Sequence, residues 1–265
     1  MKVTSPPHAH MANADLRFYE ELNNFLALER RKRSFDYPFE RKASIKDVIE
    51  SMGVPHTEVD LILVNGDPVN FSYILLDGDR VSIYPAFEAM DISQVSRLRP
   101  KPLRITRFIV DVNLGRLARY LRLLGFDSNY SNDYSDRELV DISVEQERIL
   151  LTRDRNLLKH ARITHGCFVH ATRPLEQVKE VLNRLDLYHS AQPFHRCTRC
   201  NGLLEKRMKS EVEQRLPPLT RKYYDHFWQC CDCQQVYWRG AHYEKMVALV
   251  ERLLMQESDD GNRGD

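Results

Sequence analysis

The chain has 265 residues, 42% hydrophobic and 29% charged, with 39 Lys and Arg against 38 Asp and Glu for a formal net charge of +1. That size and apolar content exclude disorder throughout and suggest about two domain cores, and a near-zero total excludes a protein held to nucleic acid by bulk charge. No apolar run approaches the ~18 residues a membrane-crossing helix needs, and the N-terminus lacks the apolar core of a secretory signal. The expectation is a soluble cytoplasmic protein without a membrane partner, with reduced cysteines.

Residues 1–14, with Pro6, Pro7 and few large apolar groups, are expected to be a disordered tail. Leu16, Phe18 and Tyr19 begin a predicted strand, and Phe35, Tyr37 and Phe39 alternate in a second. Ser44 then caps a predicted helix that Gly53 ends. Two further strands follow, Leu61 to Val64 before the turn Asn65-Gly66, and Val81 to Tyr84 after Asp77-Gly78. The order describes a small α+β domain over residues 15–90.

The residues Ser44-Ile-Lys-Asp-Val-Ile-Glu-Ser-Met-Gly-Val-Pro, Ile62-Leu-Val-Asn-Gly and Leu76-Asp-Gly-Asp-Arg-Val-Ser-Ile-Tyr-Pro resemble the ubiquitin-like β-grasp fold, in particular its sulfur-carrier branch. Carriers of that branch end in a free Gly-Gly, whereas this chain runs on through Pro85-Ala-Phe-Glu. The resemblance therefore implies a protein-interaction module and not a sulfur carrier. A basic linker, 91–104, comes next; from Ser93 to Val110 the bases Arg97, Arg99, Lys101, Arg104 and Arg107 meet no acid. It reads equally as a solvated spacer and as a contact for a phosphate backbone.

Arg107 to Val110 is a predicted buried strand ending at Asp111, followed by a helix whose apolar stripe is Leu114, Leu117, Ala118, Leu121 and Leu124, with Arg116, Arg119 and Arg122 away from that stripe. A helix from Ser135, a strand at Ile149-Leu-Leu-Thr ending at Arg153-Asp154, a helix start at Asn156, a strand at Cys167 and a helix from Leu175 to Leu187 complete the alternation. Such alternation implies an α/β domain, 105–190, with a parallel sheet between helices and its site beyond the carboxyl ends of the strands. Asp111 and Asp154 each follow a strand, and carboxylates converging at one edge repel unless a divalent ion neutralises them, so a Mg²⁺ or Mn²⁺ site is expected. Each acid also has a plainer reading: Asp111 and Asp154 suit helix N-caps, and Ser135 with Glu138 fits a capping box.

The run Phe108-Ile-Val-Asp-Val-Asn-Leu-Gly-Arg-Leu-Ala-Arg-Tyr-Leu-Arg-Leu-Leu-Gly-Phe-Asp, with Ser135-Asp-Arg-Glu-Leu and Ile149-Leu-Leu-Thr-Arg-Asp-Arg-Asn-Leu-Leu, resembles the Mut-seven C-terminal RNase domain, a PIN-like nuclease family. The resemblance implies metal-dependent hydrolysis of RNA phosphodiesters. By motif position Asp111 is the first-strand acid, Asp136 or Glu138 the helix acid and Asp154 the acid of Thr-Arg-Asp. Asp111, Asp136 and Asp154 are the expected Mg²⁺ or Mn²⁺ ligands. Arg116 and Arg153 are singled out for RNA phosphates among a wider set that includes Arg155, Lys159 and the helical arginines. The alternative is a module that binds RNA or the ribosome without cutting.

Cys197-Thr-Arg-Cys200 and Cys230-Cys-Asp-Cys233 are two CxxC knuckles, a spacing that supplies the four thiolates of a closed structural Zn²⁺ site. Cys231 competes with Cys230 for the fourth place, and Cys167 reads as a core thiol. Residues 191–256 are expected to form this zinc ribbon and a C-terminal helix, and 257–265 a disordered tail. Tyr237-Trp238-Arg239-Gly240-Ala-His242 offers an aromatic and basic surface that either stacks on a base or packs against the zinc loop.

Overall fold

The computed structural model describes residues 11–85, 98 and 106–255, and the statements below concern those residues; the expected linker 91–104 and the tail 257–265 lie outside them, apart from Leu98. The chain divides into two compact units, one made of residues 1–102 and 154–164, the other of 103–153 and 165–265.

In the first unit β1 (Ala12–Phe18), β2 (Phe35–Phe39), α1 (Ile45–Ser51), β3 (Val59–Val64), β4 (Asp67–Pro68) and β5 (Arg80–Pro85) build a mixed sheet in the order β2-β1-β5-β3-β4. Its first and last long strands, β1 and β5, pair in parallel at the centre, and the other pairs are antiparallel. This is the ubiquitin-like β-grasp arrangement. Strand β1 starts inside the stretch expected to be a tail, because Ala14 pairs with Tyr37 and is buried. Ser44 caps α1 by accepting the Asp47 N–H, and Gly53 takes the left-handed φ of +93° that stops it. Leu16, Phe18, Ile45, Ile49, Ile62 and Ile83 fill the core.

The second unit begins with β6 (Arg107–Val110), α2 (Gly115–Leu123), β7 (Asp127–Asn129), α3 (Asp136–Glu145) and β8 (Ile149–Thr152). After the four-residue α4 (Arg155–Leu158), which belongs to the first unit, come β9 (Gly166–Phe168) and α5 (Pro174–Arg184). The sheet is wholly parallel, ordered β7-β6-β8-β9. Pleating sends Phe108, Val110 and Leu151 to a core shared with α2 and α5, while Ile109 and Leu150, equally buried, point to the face that carries α3. The result is the expected three-layer, PIN-like α/β/α fold. β7 has no large apolar residue and is an edge strand held by polar partners.

The chain closes with β10 (Leu204–Arg207), α6 (Lys209–Val212), α7 (Pro218–Tyr223), β11 (Phe227–Cys230), β12 (Val236–Trp238) and α8 (Ala241–Leu254). The three strands form an antiparallel ribbon. Val212, Leu216, Phe227 and Val236 give it a small core of its own, whereas α8 buries Val250 and Leu253 in the same core as α2 and α5.

Within the first unit the segment 154–164 is tied to the β-grasp sheet and helix. The Arg155 guanidinium lies 5.0 Å from the Phe25 ring centroid, Lys159 Nζ donates to the Glu50 carbonyl at 2.7 Å, and His56 Nε2 is 2.9 Å from the Ile163 carbonyl oxygen. Arg155 and Lys159, expected at RNA phosphates, are thus engaged in packing: each stem lies on the unit's surface and its charged head finds a ring face or a carbonyl.

Candidate active site and metal centre

Asp111 is the first residue beyond β6, a central strand of the parallel sheet. Its N–H donates to the Leu151 carbonyl at 3.0 Å and its carbonyl accepts from Leu114 N–H at 2.8 Å, so the backbone is fixed on both sides. The residue is only 6% exposed. Its Oδ2 accepts the hydroxyl hydrogen of fully buried Thr152 at 2.5 Å, and among the described residues no cationic side chain meets this carboxylate. A buried carboxylate partnered only by a neutral hydroxyl is costly, and either a proton or a bound cation relieves that cost. Among the described residues the set Cys197, Cys200, Cys230 and Cys233 is the only group of three or more His, Cys, Asp and Glu side chains whose ligand atoms lie close enough to share one ion, and Asp111 is not part of it.

The other expected acids are placed differently. Asp136 is exposed in the first turn of α3. Glu138, three residues into that helix, closes a full capping box: its Oε2 accepts from the Ser135 N–H at 2.8 Å and from the Ser135 hydroxyl at 2.7 Å, while Ser135 Oγ accepts the Glu138 N–H. Those donors, the backbone N–H first, hold its carboxyl below the usual value. Asp154 lies two residues beyond β8, with Arg153 between, and its Oδ1 caps α4 by accepting the Asn156 N–H at 2.7 Å. Asp111 belongs to the second unit and Asp154 to the first.

Of the two arginines singled out, Arg153 donates to the carbonyls of His170 and Ala171 and thereby braces the chain after β9. Arg116 is exposed and lines a groove with Asn113, Arg119, Thr172 and Gln177. Arg122 does not lie on a free basic face. It is 4% exposed, with Nε donating to the Ser128 carbonyl at 2.8 Å and Nη1 to the Arg199 carbonyl at 2.9 Å. Burial lowers its pKa, and its helical position beside Leu121 explains why it faces inward.

Cys197, Cys200, Cys230 and Cys233 bring four sulfurs within 4.8 Å of one another, including pairs at 3.6 and 3.3 Å. A tetrahedral tetrathiolate with metal–sulfur bonds of about 2.3 Å needs sulfurs roughly 3.8 Å apart, so the set can hold a metal such as zinc. Burial works against the Cys197 thiolate, but hydrogen bonds from the Tyr237 hydroxyl and from the Cys200 and Arg199 N–H groups lower its pKa to about 7. Cys231 is exposed and outside the group, and Cys167 is a buried core thiol. A Cβ at Gly202 would come within 2.7 Å of Cys230 Sγ, so the first knuckle needs glycine there.

Sequence reasoning missed the polar network that joins this knuckle to β7. Asn201, at φ +79°, donates to Asp127 Oδ1 at 2.8 Å and accepts the Ser128 N–H at 2.9 Å. Arg148 reaches the same Asp127 oxygen at 2.6 Å and Arg196 the other at 3.6 Å. No sequence pattern marks such partners, which lie far apart in the chain. Trp238 packs against the small ribbon core formed by Val212, Leu216, Phe227 and Val236, and His242 is exposed.

The fold is an α/β domain with a ribbon whose four cysteines could hold a metal such as zinc, preceded by a β-grasp module. Comparison with family models matches residues 106–250 to the Mut7-C RNAse domain and residues 11–91 to the Mut7-C ubiquitin domain, and the chain belongs to the Mut7-C RNAse domain family. No curated protein and no solved structure matches it. No described helix is long and apolar enough to cross a membrane.

Proposed function

We propose that the chain is a divalent-metal-dependent ribonuclease that hydrolyses RNA phosphodiester bonds at the carboxyl edge of the parallel sheet. The observation that carries this reading is the Asp111 carboxylate: buried, held at one oxygen by Thr152 and lacking a cationic partner among the described residues, in a chain whose family is an RNase family. Asp111 would hold a Mg²⁺ or Mn²⁺ ion, which would supply a water of lowered pKa and neutralise charge on the phosphate.

Asp111 would be the ligand that holds the metal, and Thr152 fixes the carboxylate's orientation through its hydroxyl. Asp136 is the supporting acid, preferred to Glu138 because the latter's Oε2 is committed to its cap; Asp154 is retained by motif position alone, since its Oδ1 is likewise taken up in capping α4. Arg116 suits a phosphate beside the scissile bond, since a guanidinium fork matches phosphate oxygens. The Cys₄ group takes Zn²⁺ as a closed structural staple with no position open for hydrolysis. Reduced thiols agree with a cytoplasmic location, and the β-grasp module is assigned a protein partner.

Purified protein with Mn²⁺ and a structured RNA is expected to cleave, and Asp111→Asn to lose cleavage by a factor of ~100 or more, the scale of one misplaced catalytic group. Cleavage undiminished in the variant refutes the site. RNA binding without cleavage in the wild type points to a binding module instead.

A further inference from the structure

Three grooves in the second unit adjoin one another through shared walls. The first lies at the N-terminus of α2, between Asn113, Arg116, Thr172 and Gln177. Arg119 forms part of both its wall and that of the second groove, which continues past Thr198, Tyr223, Trp238 and His242. The second in turn shares Tyr237, Trp238, Tyr243 and Met246 with the third, which ends at Trp228, Arg239 and His195.

Among the described residues no acidic side chain lines any of the three. Acids and bases are almost equal in number over the whole chain, so a connected path without an acid is a local separation of charge. The path is also graded. At the α2 end its charged groups are Arg116 and Arg119, both exposed; toward the ribbon its walls become aromatic, with Trp228, Tyr237, Trp238 and Tyr243 all partly exposed. The Arg239 guanidinium stands 5.3 Å from the Trp228 ring centroid and 5.5 Å from that of Tyr243, a planar cation already set in a stack of rings.

We propose that these grooves form one track for a single strand of RNA, whose phosphates lie along Arg116 and Arg119 and whose unpaired bases stack on Trp228, Trp238 and Arg239. A base pair hides its faces in the duplex, so exposed rings and guanidinium planes recognise unstacked bases, while the basic groove follows the backbone. The track deepens the nuclease reading by assigning its substrate class, an RNA with a single-stranded tail, and it rests on that reading for the choice of polymer.

Trp228 and Trp238 are the chain's two tryptophans, so its intrinsic tryptophan emission arises wholly within this track. The test uses full-length, zinc-loaded Asp111→Asn protein with no added Mg²⁺ or Mn²⁺, titrated with a short single-stranded RNA and with the blunt duplex of the same sequence. The single strand is expected to quench the emission and to bind at least ~10-fold tighter than the duplex. Trp228→Ala, Arg239→Gln and Arg119→Gln should each weaken it by about 10-fold in anisotropy, with Trp228→Phe retaining affinity. The two arginines are exposed, so their variants report even if Trp228→Ala disturbs the ribbon. Equal or tighter duplex binding, or unchanged affinity in Arg239→Gln and Arg119→Gln, overturns the track. If the track passes while wild-type protein with Mn²⁺ fails to cleave, the nuclease reading alone falls; if cleavage occurs and the variants bind normally, the track alone falls.

Discussion

Thr152 stands opposite Asp111 on the neighbouring parallel strand and gives its hydroxyl hydrogen to Asp111 Oδ2 across 2.5 Å. Thr152→Val keeps the shape and removes the donor. It is expected to cost about 1–3 kcal/mol in denaturant unfolding, because the buried carboxylate loses a partner, and to lower cleavage with it. Thr152→Ser should retain most of both. A valine variant as stable as the wild type would show that solvent satisfies Asp111 unaided.

The cysteine site separates ligand from bystander. Cys200→Ser should lose close to one equivalent of zinc by elemental analysis and melt at a markedly lower temperature, since binding energy of a structural metal is folding energy. Cys231→Ser, outside the group, should keep its metal and its melting point. Retention of zinc by the first variant would mean that Cys231 substitutes for the missing thiolate.

Asp127 should make stability depend on acid pH. Partial burial would raise its pKa, but the hydrogen bonds from Arg148 and Asn201 and the charges of Arg148 and Arg196 outweigh it and leave the value below normal. A carboxyl depressed in the folded state stabilises fully above its unfolded pKa, near 4, and that contribution disappears as pH falls through the lower folded value. Asp127→Asn is therefore expected to destabilise at neutral pH by about 1–3 kcal/mol and to flatten the loss of stability on acidification. An unchanged acid limb in pH-dependent unfolding would contradict this account.

The first turn of α3 distinguishes a cap from a catalyst. Ser135→Ala should cost about 1 kcal/mol of stability. Glu138→Gln should retain cleavage, while Asp136→Asn should slow it. The reverse pattern in a cleavage assay would make Glu138 the helix acid despite its capping box.

The β-grasp strands and the turns Asn65-Gly66 and Asp77-Gly78 could be read from local rules, because alternation and positive-φ residues act within a few positions. The parallel strands β6, β8 and β9 were legible as short apolar runs, the mark of strands covered on both faces. β7 was not: Asp-Ser-Asn has no apolar signal, and its partners Arg148 and Asn201 lie 21 and 74 residues away. Arg122 was read as a surface cation because charge usually marks solvent, yet the carbonyls of Ser128, six residues on, and Arg199, 77 residues on, accept its hydrogen bonds. For the acids, the motif located the residues, but both the capping and the catalytic readings use the same side chains, and only geometry shows that Glu138 is occupied and Asp111 is not paired with a cation.

The stretch 154–164 lies inside the span matched by the RNase model, yet it folds with the ubiquitin-like residues. A fragment cut to begin at residue 106 would leave Arg155 without the Phe25 ring, Lys159 without its carbonyl and the Ile163 oxygen without an imidazole. Sequence modules and cooperative units therefore do not coincide in this chain, and trimming to a minimal nuclease would unsettle the loop that carries Asp154.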